Sequence, residues 1–454
     1  MKILIAMLLL FGVPASPVAA RTGPDCLNVG SKKTPVSSFS LLKSCQKKAK
    51  RRLIDRAEAR GRPLSTAETP LPVTMRAEAD KRYNPRVPNE ALELFRSLTS
   101  VPTAPFQERA VAARALEWIE RRLGRRASLR AVRGGLIVSY RGAAEGPALA
   151  LAAHLDHPAF RIDALRPDGA SATLQGGLPP HLLAGAAVEA FASGAASNVP
   201  LARGTLGPRP KKDGAPWRIF WTEPPRRGAT PAFAVLALTP FELKDGWLAS
   251  RSIDDLLGCA VSLEALRRLA VARVKTNVTV LLNRAEEVGF VGALDMIRSG
   301  VLSPGDSYLS IESSRELPGS RPGKGPTIRL GDKACAFDPN LVALLDDAAA
   351  RLRRRGTKIQ RLRLTGGTCE ATAYQTFGLE AAGVAVPLVN YHNGWGADAV
   401  APERVRASDA EGAVKLLVEA ARLFPERALR GVLRERLSRR RELSASSLGA
   451  FRAA

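Results

Sequence analysis

The sequence contains few residues of two types that often carry chemistry: 4 histidines and 5 cysteines among 454 residues. The cysteine spacing matches no zinc ribbon, which argues against a structural zinc module of that kind. Cys26 and Cys45 fall in the N-terminal segment and would pair only in an exported protein. Cys259, Cys335 and Cys369 are predicted to be single buried thiols, because none has the sequence context of a nucleophile.

Long apolar runs are also missing. The apolar run of residues 3–13 is too short to cross a bilayer as a helix, so we expect no transmembrane segment in the mature chain. It lies after Lys2 and before a small-residue stretch that ends at Ala20, the pattern of a secretory leader over residues 1–20. The alternative is a true start at Met75. A leader predicts a periplasmic or secreted protein, whereas the later start predicts a cytoplasmic one.

Positive charge is present in excess. The net charge is +25, with 45% hydrophobic and 24% charged residues, proportions typical of a soluble globular protein of two or three domains. Most of the excess lies at the ends: residues 21–86 carry about 16 basic and 6 acidic side chains, and residues 426–454 about 8 and 3. Such ends are usually solvated extensions, so we expect no specific nucleic-acid partner.

Hydrophobic periodicity divides the chain into segments. Helix and strand patterns alternate from about residue 88, and short alternating runs between Gly, Pro and Asp interrupt them. We therefore predict an α/β fold with an inserted β-rich domain. The predicted segments are a leader (1–20), a basic linker (21–87), the first part of a catalytic α/β domain (88–165), the inserted β domain (166–247), the second part of the catalytic domain (248–425) and a basic C-terminal tail (426–454).

Histidines and acids stand at the ends of four predicted strands and at the start of one helix. The strands end in "ALALAAHLD", "TNVTVLLNRAEE", "DSYLSIE" and "VPLVNYH", and the helix begins at "DDLLGC". Ligands of open α/β sheets bind beyond the carboxyl ends of the strands, so these side chains are candidates for one site. The candidates are His154, Asp254, Glu286, Glu287, Glu312 and His392.

Two imidazoles among several carboxylates favour Zn²⁺, Co²⁺ or Mn²⁺ over Mg²⁺ and Ca²⁺, which prefer oxygen ligands alone. Two such ions about 3.5–4 Å apart need a shared carboxylate, and Asp254 is the candidate for it. Asp156 is predicted to accept the second ring N–H of His154 and so to fix its tautomer.

Each of these elements has an ordinary structural interpretation when it stands alone. Two aspartates before a helix commonly cap it, and adjacent glutamates after a strand are usually surface charge. His157 and His181 are interpreted as structural. The functional interpretation depends on the agreement in position of the other residues within one α/β pattern.

Several motifs resemble those of a known family: "HLD", "SIDDLLGC", "AEEVGFVGA", "LSIES", "KGPTIRLGD", "GGT" and a late strand that ends in histidine. Over residues 88–425 the sequence resembles the glutamyl-aminopeptidase and tetrahedral-aminopeptidase (cellulase M-like) family of two-metal peptidases. The resemblance implies a phosphorylase/hydrolase-like mixed sheet sandwiched by helices, with an inserted small β-barrel domain used in homo-oligomer assembly. It also implies removal of N-terminal residues from short peptides.

Carried over to this sequence, the resemblance implies two divalent metal ions, zinc with cobalt or manganese as alternatives. The implied ligands are His154 and Glu312 on one ion, Glu287 and His392 on the other, and Asp254 between them. Glu286 would be the general base, and Asp156 would orient His154. The family usually has Asp in place of Glu312 and Asp-Ala in place of Cys369-Glu370.

Three functions are compatible with these residues. The first is a metal-dependent aminopeptidase that hydrolyses short peptides with a metal-activated water. The second is a two-metal deacylase or amidohydrolase acting on a small N-acylated compound, and the third is a non-catalytic binding protein that kept the fold. Substrates with free and blocked amines separate the first two, and the stoichiometry of bound metal separates the third.

Overall fold

The computed structural model of the protein describes residues 90–143, 145–426, 437–442 and 444–448. The predicted leader, linker and alternative start at Met75, together with Cys26 and Cys45, lie outside the described residues. Of the predicted basic tail, residues 437–442 form a helical stretch. Within the described ranges, no helix is both long enough and apolar enough to cross a membrane.

The central feature is an eight-stranded mixed sheet in the order β1-β2-β12-β3-β13-β16-β14-β15. Its four middle strands β12, β3, β13 and β16 are parallel to one another, and β2 and β14 flank them in antiparallel pairing. The strands are β1 (Ser128–Val132), β2 (Gly135–Arg141), β3 (Leu149–His154), β12 (Asn277–Asn283), β13 (Ser307–Arg315), β14 (Thr327–Arg329), β15 (Gln360–Leu362) and β16 (Glu380–Leu388).

Two groups of helices pack on this sheet. Besides the helical stretch of residues 437–442, the α-helices in the described part of the chain are α1 (Glu90–Thr99), α2 (Arg109–Arg122), α3 (Leu256–Val271), α4 (Val291–Arg298), α5 (Pro339–Arg354), α6 (Glu370–Thr376) and α7 (Ala407–Leu423). Helix α3 contacts β3, β12 and β13 and packs against α1 and α7, whereas α6 contacts β13 and β16 and packs against α4. The parallel strands β3 and β12 are buried along their whole length, as their continuous apolar runs predict.

The inserted domain is a closed antiparallel barrel in the order β4-β5-β8-β7-β6-β9. Its strands are β4 (Ala159–Arg166), β5 (Gly169–Gln175), β6 (Ala187–Phe191), β7 (Ala202–Leu206), β8 (Trp217–Glu223) and β9 (Phe233–Leu236). The barrel has its own apolar core, which includes Phe160, Ile219 and Leu236. The predicted α/β fold with an inserted β-barrel is therefore confirmed.

The barrel strands occupy a different range from the predicted insertion, residues 166–247. They begin at Ala159, because β4 follows β3 after only four residues, and a sequence pattern does not show where the chain changes sheets. They end at Leu236, because β10 (Glu242–Lys244) and β11 (Trp247–Ser250) join β17 (Glu403–Arg406) in a separate three-stranded sheet.

Candidate metal and active site

The parallel register brings the predicted residues to one edge of the sheet. Asn283, the last residue of β12, pairs with His154, the last residue of β3. In the next strand Ser310 pairs with Ala152, which places Glu312 level with His154. Because parallel strands end on the same side, the side chains that follow them share one cleft.

The adjacent glutamates occupy a turn between β12 and α4. Ala285 has a left-handed φ of 51°, and the chain turns again at Gly289, with φ 105°, before α4 begins. These residues break the alternation of a regular strand, so Glu286 and Glu287 reach the same cluster.

The two adjacent aspartates divide into a cap and a site residue. The side chain of Asp255 accepts a hydrogen bond from the backbone N–H of Gly258 at 3.2 Å, which caps helix α3. Asp254, 3% exposed, directs its carboxylate at the histidines instead. The capping interpretation therefore applies to Asp255 alone.

The carboxylate of Asp254 lies between the two histidines. Its Oδ1 is 3.6 Å from Nε2 of His154, and its Oδ2 is 3.5 Å from Nε2 of His392. Glu287 Oε1 is 3.2 Å from Nε2 of His392, and Glu286 Oε2 is 3.7 Å from Nε2 of His154. One carboxylate thus connects two imidazoles that each have a further acid nearby.

Among the described residues there are three groups of potential metal ligands, and within each group the ligand atoms lie within 4.8 Å of one another. The first is His154, Asp254 and Glu312; the second is Asp254, Glu287 and His392; the third is His154, Glu286 and Glu287. The first two share Asp254 and contain every residue that the sequence nominated as a ligand. Glu286, nominated as the base, lies outside both.

The hydrogen bonds of both histidines leave Nε2 free to bind a metal. Nδ1 of His154 lies 3.1 Å from the carbonyl oxygen of Asp156, and Nδ1 of His392 lies 3.1 Å from that of Gly177. A carbonyl oxygen only accepts, so Nδ1 carries the proton in each ring and Nε2 presents its lone pair. The Tyr391 ring also stacks on that of His392, with centroids 3.8 Å apart.

Asp156 contacts different groups from those predicted. Its carboxylate is 3.7 Å from Nδ1 of His154, beyond a hydrogen bond, and the contact with that ring comes from the Asp156 carbonyl. The carboxylate instead accepts the backbone N–H groups of Glu286 at 3.0 Å and Glu287 at 3.1 Å. Burial raises the pKa of this carboxyl to about 7. Asp156 therefore holds the turn that carries both glutamates.

Crowded carboxylates dominate the electrostatics of the cleft. Burial raises the pKa of Glu286 well above its ordinary value, and it raises the pKa of Glu312 to about 7 with the charge of Asp254 adding to the effect. Burial alone would lower the pKa of His154, but Glu286 and Asp254 raise it. Burial alone would raise the pKa of Asp254, but the contacts with His154 and His392 lower it.

The residues present fit divalent cations. No described residue donates a hydrogen bond to the buried Asp254 Oδ1 or to the buried Glu287 Oε1. A buried, unpaired carboxylate oxygen is unfavourable, and a metal ion would supply the missing partner and offset the like charges. Imidazole nitrogens mixed with carboxylate oxygens form a ligand set that suits zinc, cobalt or manganese.

A cavity of about 400 Å³ opens beside these ligands, with Asp254, Glu312 and His392 in its wall. Arg329 also lines it and is 3% exposed. Its Nη1 lies 3.5 Å from the hydroxyl of Ser314, and among the described residues none accepts a hydrogen bond from its buried Nε. The sequence motif "KGPTIRLGD" contained this arginine but did not indicate that it faces the cleft.

Two more buried residues contact the backbone of the site, and one of them, Glu403, was not identified from the sequence. Glu403 accepts the backbone N–H groups of Asp254 and His392. His157 lies 2.5 Å from the carbonyl oxygen of Asp254 and 3.0 Å from Oδ1 of Asn393, in keeping with its structural interpretation. These contacts are made to main-chain or distant groups, which leave no pattern in the sequence.

Comparison with known proteins gives a sequence resemblance to one family over part of the chain, and a fold. Residues 230–416 match the sequence model of the family described as M42 glutamyl aminopeptidase. Among curated proteins, none matches the chain.

Solved structures match a larger part of the chain. A TET aminopeptidase from a marine-sediment Thaumarchaeota archaeon has a TM-score of 0.62 at 18% identity, with 74% of this chain and 97% of that chain covered. The Pyrococcus horikoshii TET1 peptidase has a TM-score of 0.58 at 21% identity, with 73% and 99% covered. An aminopeptidase from Desulfurococcus kamchatkensis has a TM-score of 0.60 at 21% identity, with 73% and 93% covered.

Identities this low establish the fold alone, and the sequence match of residues 230–416 adds the family resemblance. The motifs quoted above fall largely within that matched stretch. The predicted resemblance is thus confirmed: residues 230–416 resemble the M42 glutamyl aminopeptidases in sequence, and the fold resembles that of the TET peptidases. This resemblance supports a hydrolase of the peptidase class.

Proposed function

We propose that the protein is a metal-dependent aminopeptidase that removes N-terminal residues from short peptides with two divalent ions. Zinc is the proposed metal, with cobalt and manganese as alternatives. The observation that carries the proposal is the position of Asp254, whose two carboxylate oxygens face two different imidazoles. His154 and Glu312 would complete one ion's ligands, and Glu287 and His392 the other's.

When bound, the ions would supply a water of lowered pKa and would polarise the scissile carbonyl. Glu286 would take the proton of that water and pass it to the leaving amine. Its position supports this role, because it lies 3.7 Å from His154 but outside the two groups that share Asp254. Asp156 would keep Glu286 in place by accepting its backbone N–H.

The cleft supports a preference for substrates with an acidic N-terminal residue, as the word glutamyl in the matched family's description also indicates. Arg329 brings a buried guanidinium to the cavity wall, and its Nε has no acceptor among the described residues. A substrate carboxylate would supply that acceptor through a charge-assisted hydrogen bond. We therefore propose Glu and Asp as preferred N-terminal residues.

We also propose that the protein forms homo-oligomers through its inserted barrel. The solved relatives include a dodecamer and the Pyrococcus horikoshii peptidase, which can assemble into a tetrahedron or an octahedral shell. The phosphorylase/hydrolase-like topology that the resemblance implies belongs to the same proposal. Light scattering of the full chain and of a barrel-surface variant tests the assembly.

The test of the function combines metal analysis with substrates. Protein loaded with zinc should bind two ions per chain, hydrolyse aminoacyl arylamides with a free amine, and lose this activity with a chelator. Activity on N-blocked substrates alone would favour the deacylase, and fewer than one ion per chain without hydrolysis would favour the binding protein.

The substrate preference is tested separately. Arg329→Met should reduce kcat/KM for glutamyl arylamide far more than for leucyl arylamide, because the latter has no carboxylate to pair. Arg315→Met is the matched control, since Arg315 lines the same cavity but is exposed to solvent. Equal losses on both substrates would contradict the acidic preference.

A further inference from the structure

Glu403 is a fully buried carboxylate that binds the backbone on both sides of the proposed metal site. It lies in β17 and is 0% exposed. Its Oε2 accepts the N–H of Ile253 at 2.7 Å and of Asp254 at 3.0 Å, and its Oε1 accepts the N–H of His392 at 2.9 Å. The carboxylate therefore connects two segments that are 138 residues apart in the chain, from Asp254 to His392.

The segment around His392 needs such support because its backbone is strained. Asn390, His392 and Asn393 have φ values of 57°, 49° and 61°, a left-handed conformation that is unfavourable for residues other than glycine. The Asn390 side chain donates to the carbonyl of Pro402 at 2.9 Å, one residue before Glu403. Contacts with Pro402 and Glu403 therefore stabilise the conformation that directs His392 into the cleft.

We propose that Glu403 is a positioning residue that sets the separation of Asp254 and His392 and thereby the affinity for one of the two metal ions. This inference rests on the proposed two-metal function. Glu403 acts through the main chain, since its oxygens accept backbone N–H groups of the ligand residues and are not among the potential ligand groups of the described chain.

The two ion positions depend on Glu403 to different extents. The group of Asp254, Glu287 and His392 takes two of its three residues from the segments that Glu403 holds. The group of His154, Asp254 and Glu312 takes only one. Loss of Glu403 should therefore weaken binding at the position that contains His392 more than at the position that contains His154.

Glu403→Gln tests the inference with little change in side-chain shape. The amide nitrogen cannot accept, so one of the two segments loses its acceptor and faces an N–H group. We expect one of the two zinc ions to bind about 10–100-fold more weakly, the range typical for groups that orient metal ligands. Titration of metal-free protein with zinc, followed by calorimetry and metal analysis, measures this directly.

Asp409→Asn is the matched control. Asp409 is also a buried carboxylate that accepts two backbone N–H groups, but these belong to Gly323 and Gly325 rather than to ligand residues. The Asp409→Asn substitution should lower the melting temperature and leave both zinc affinities unchanged. In Glu403→Gln, saturating zinc should restore kcat, as expected of a residue that positions ligands.

Unchanged zinc affinities in folded Glu403→Gln would overturn the inference. An equal loss of zinc affinity in Asp409→Asn would also overturn it, as would wild-type protein that binds fewer than two ions. The proposed function fails separately. Wild-type protein that binds two ions but hydrolyses no aminoacyl substrate contradicts the peptidase proposal, while selective loss of one ion in Glu403→Gln still supports the role of Glu403.

Discussion

The six-stranded barrel and the carboxyl edge of the eight-stranded sheet both bury side chains, but of different chemistry. The barrel core consists of apolar residues such as Phe160 and Ile219, and ion pairs such as that of Arg203 with Glu223 lie at its exposed surface. The sheet edge buries His154, Asp254 and their acidic neighbours at distances of 3.2–3.7 Å.

The burial in the barrel contributes to stability, whereas the burial at the sheet edge serves the proposed function. Apolar burial stabilises the barrel by roughly 25 cal/mol for each Å² removed from water. Buried like charges destabilise the sheet edge until an opposite charge binds there. Left-handed backbone at Ala285, Asn390 and His392 adds strain to the same edge. A bound cation would therefore stabilise the sheet edge, whereas the apolar core stabilises the barrel.

The largest expected effect separates the adjacent glutamates within the sheet edge. Glu286→Gln should lower kcat by about 10³-fold and keep both metal ions, because it removes only the proton carrier. Glu287→Gln should lose a metal ion as well, because it removes a proposed ligand. Steady-state kinetics with metal analysis of both variants measures the difference. Full metal occupancy in both would contradict the assignment of Glu287.

A core substitution in the barrel should alter stability without altering the metal site. Ile219→Ala should lower the free energy of unfolding by about 2–5 kcal/mol, the usual cost of a buried isoleucine truncation. Leu281→Ala in β12 is the matched control, and it should also weaken metal binding because β12 leads into the two glutamates. Denaturant unfolding and zinc titration of both variants make the comparison. If folded Ile219→Ala lost metal while Leu281→Ala kept it, the proposed distinction between the barrel and the sheet edge would be wrong.

Removal of metal should make stability depend on pH through the sheet edge. The folded pKa values of Asp156 and Glu312 are raised to about 7, so the folded metal-free protein keeps protons that the unfolded chain releases above about pH 4. Its free energy of unfolding should therefore fall between about pH 4 and pH 7. Each carboxyl that stays protonated only in the folded chain lowers this free energy by about 1.4 kcal/mol for every rise of one pH unit.

Chemical denaturation of chelated protein at pH 5 and pH 7 measures this slope, and Glu312→Gln should flatten it. Zinc should restore stability at pH 7, since it favours the ionised carboxylates. A metal-free protein that became more stable over this range would show that other groups control the titration.

The smallest expected effect lies where the barrel contacts the site. A Cβ at Gly177 would lie 3.0 Å from Nδ1 of His392, so Gly177→Ala should displace that ring and weaken zinc binding by about tenfold. Gly305→Ala is the control, because its nearest atom, Oγ of Ser303, would be 3.6 Å away. Unchanged zinc affinity in Gly177→Ala would mean that the barrel does not position His392.

The strands and helices that carry the site could be predicted from the sequence because their patterns are local. Apolar runs mark β3 and β12, and the paired aspartates of "DDLLGC" mark the start of α3. The boundary at β4 could not be predicted, since only four residues separate β3 from β4 and no pattern in them marks the change from sheet to barrel. The separate roles of Asp254 and Asp255 also required the structure, because both residues precede the helix equally well.

Which residues meet at the sheet edge can be inferred from the sequence, because parallel strands all end on the same side. The type of metal that would fit them can also be inferred, from the mixture of imidazole and carboxylate. How these residues are held can be seen only in the folded chain: Glu403 and Gly177 act through hydrogen bonds of main-chain groups, which any sequence context can make. Arg329 faces the cleft for a similar reason, since its direction depends on how β14 joins the sheet beside β16.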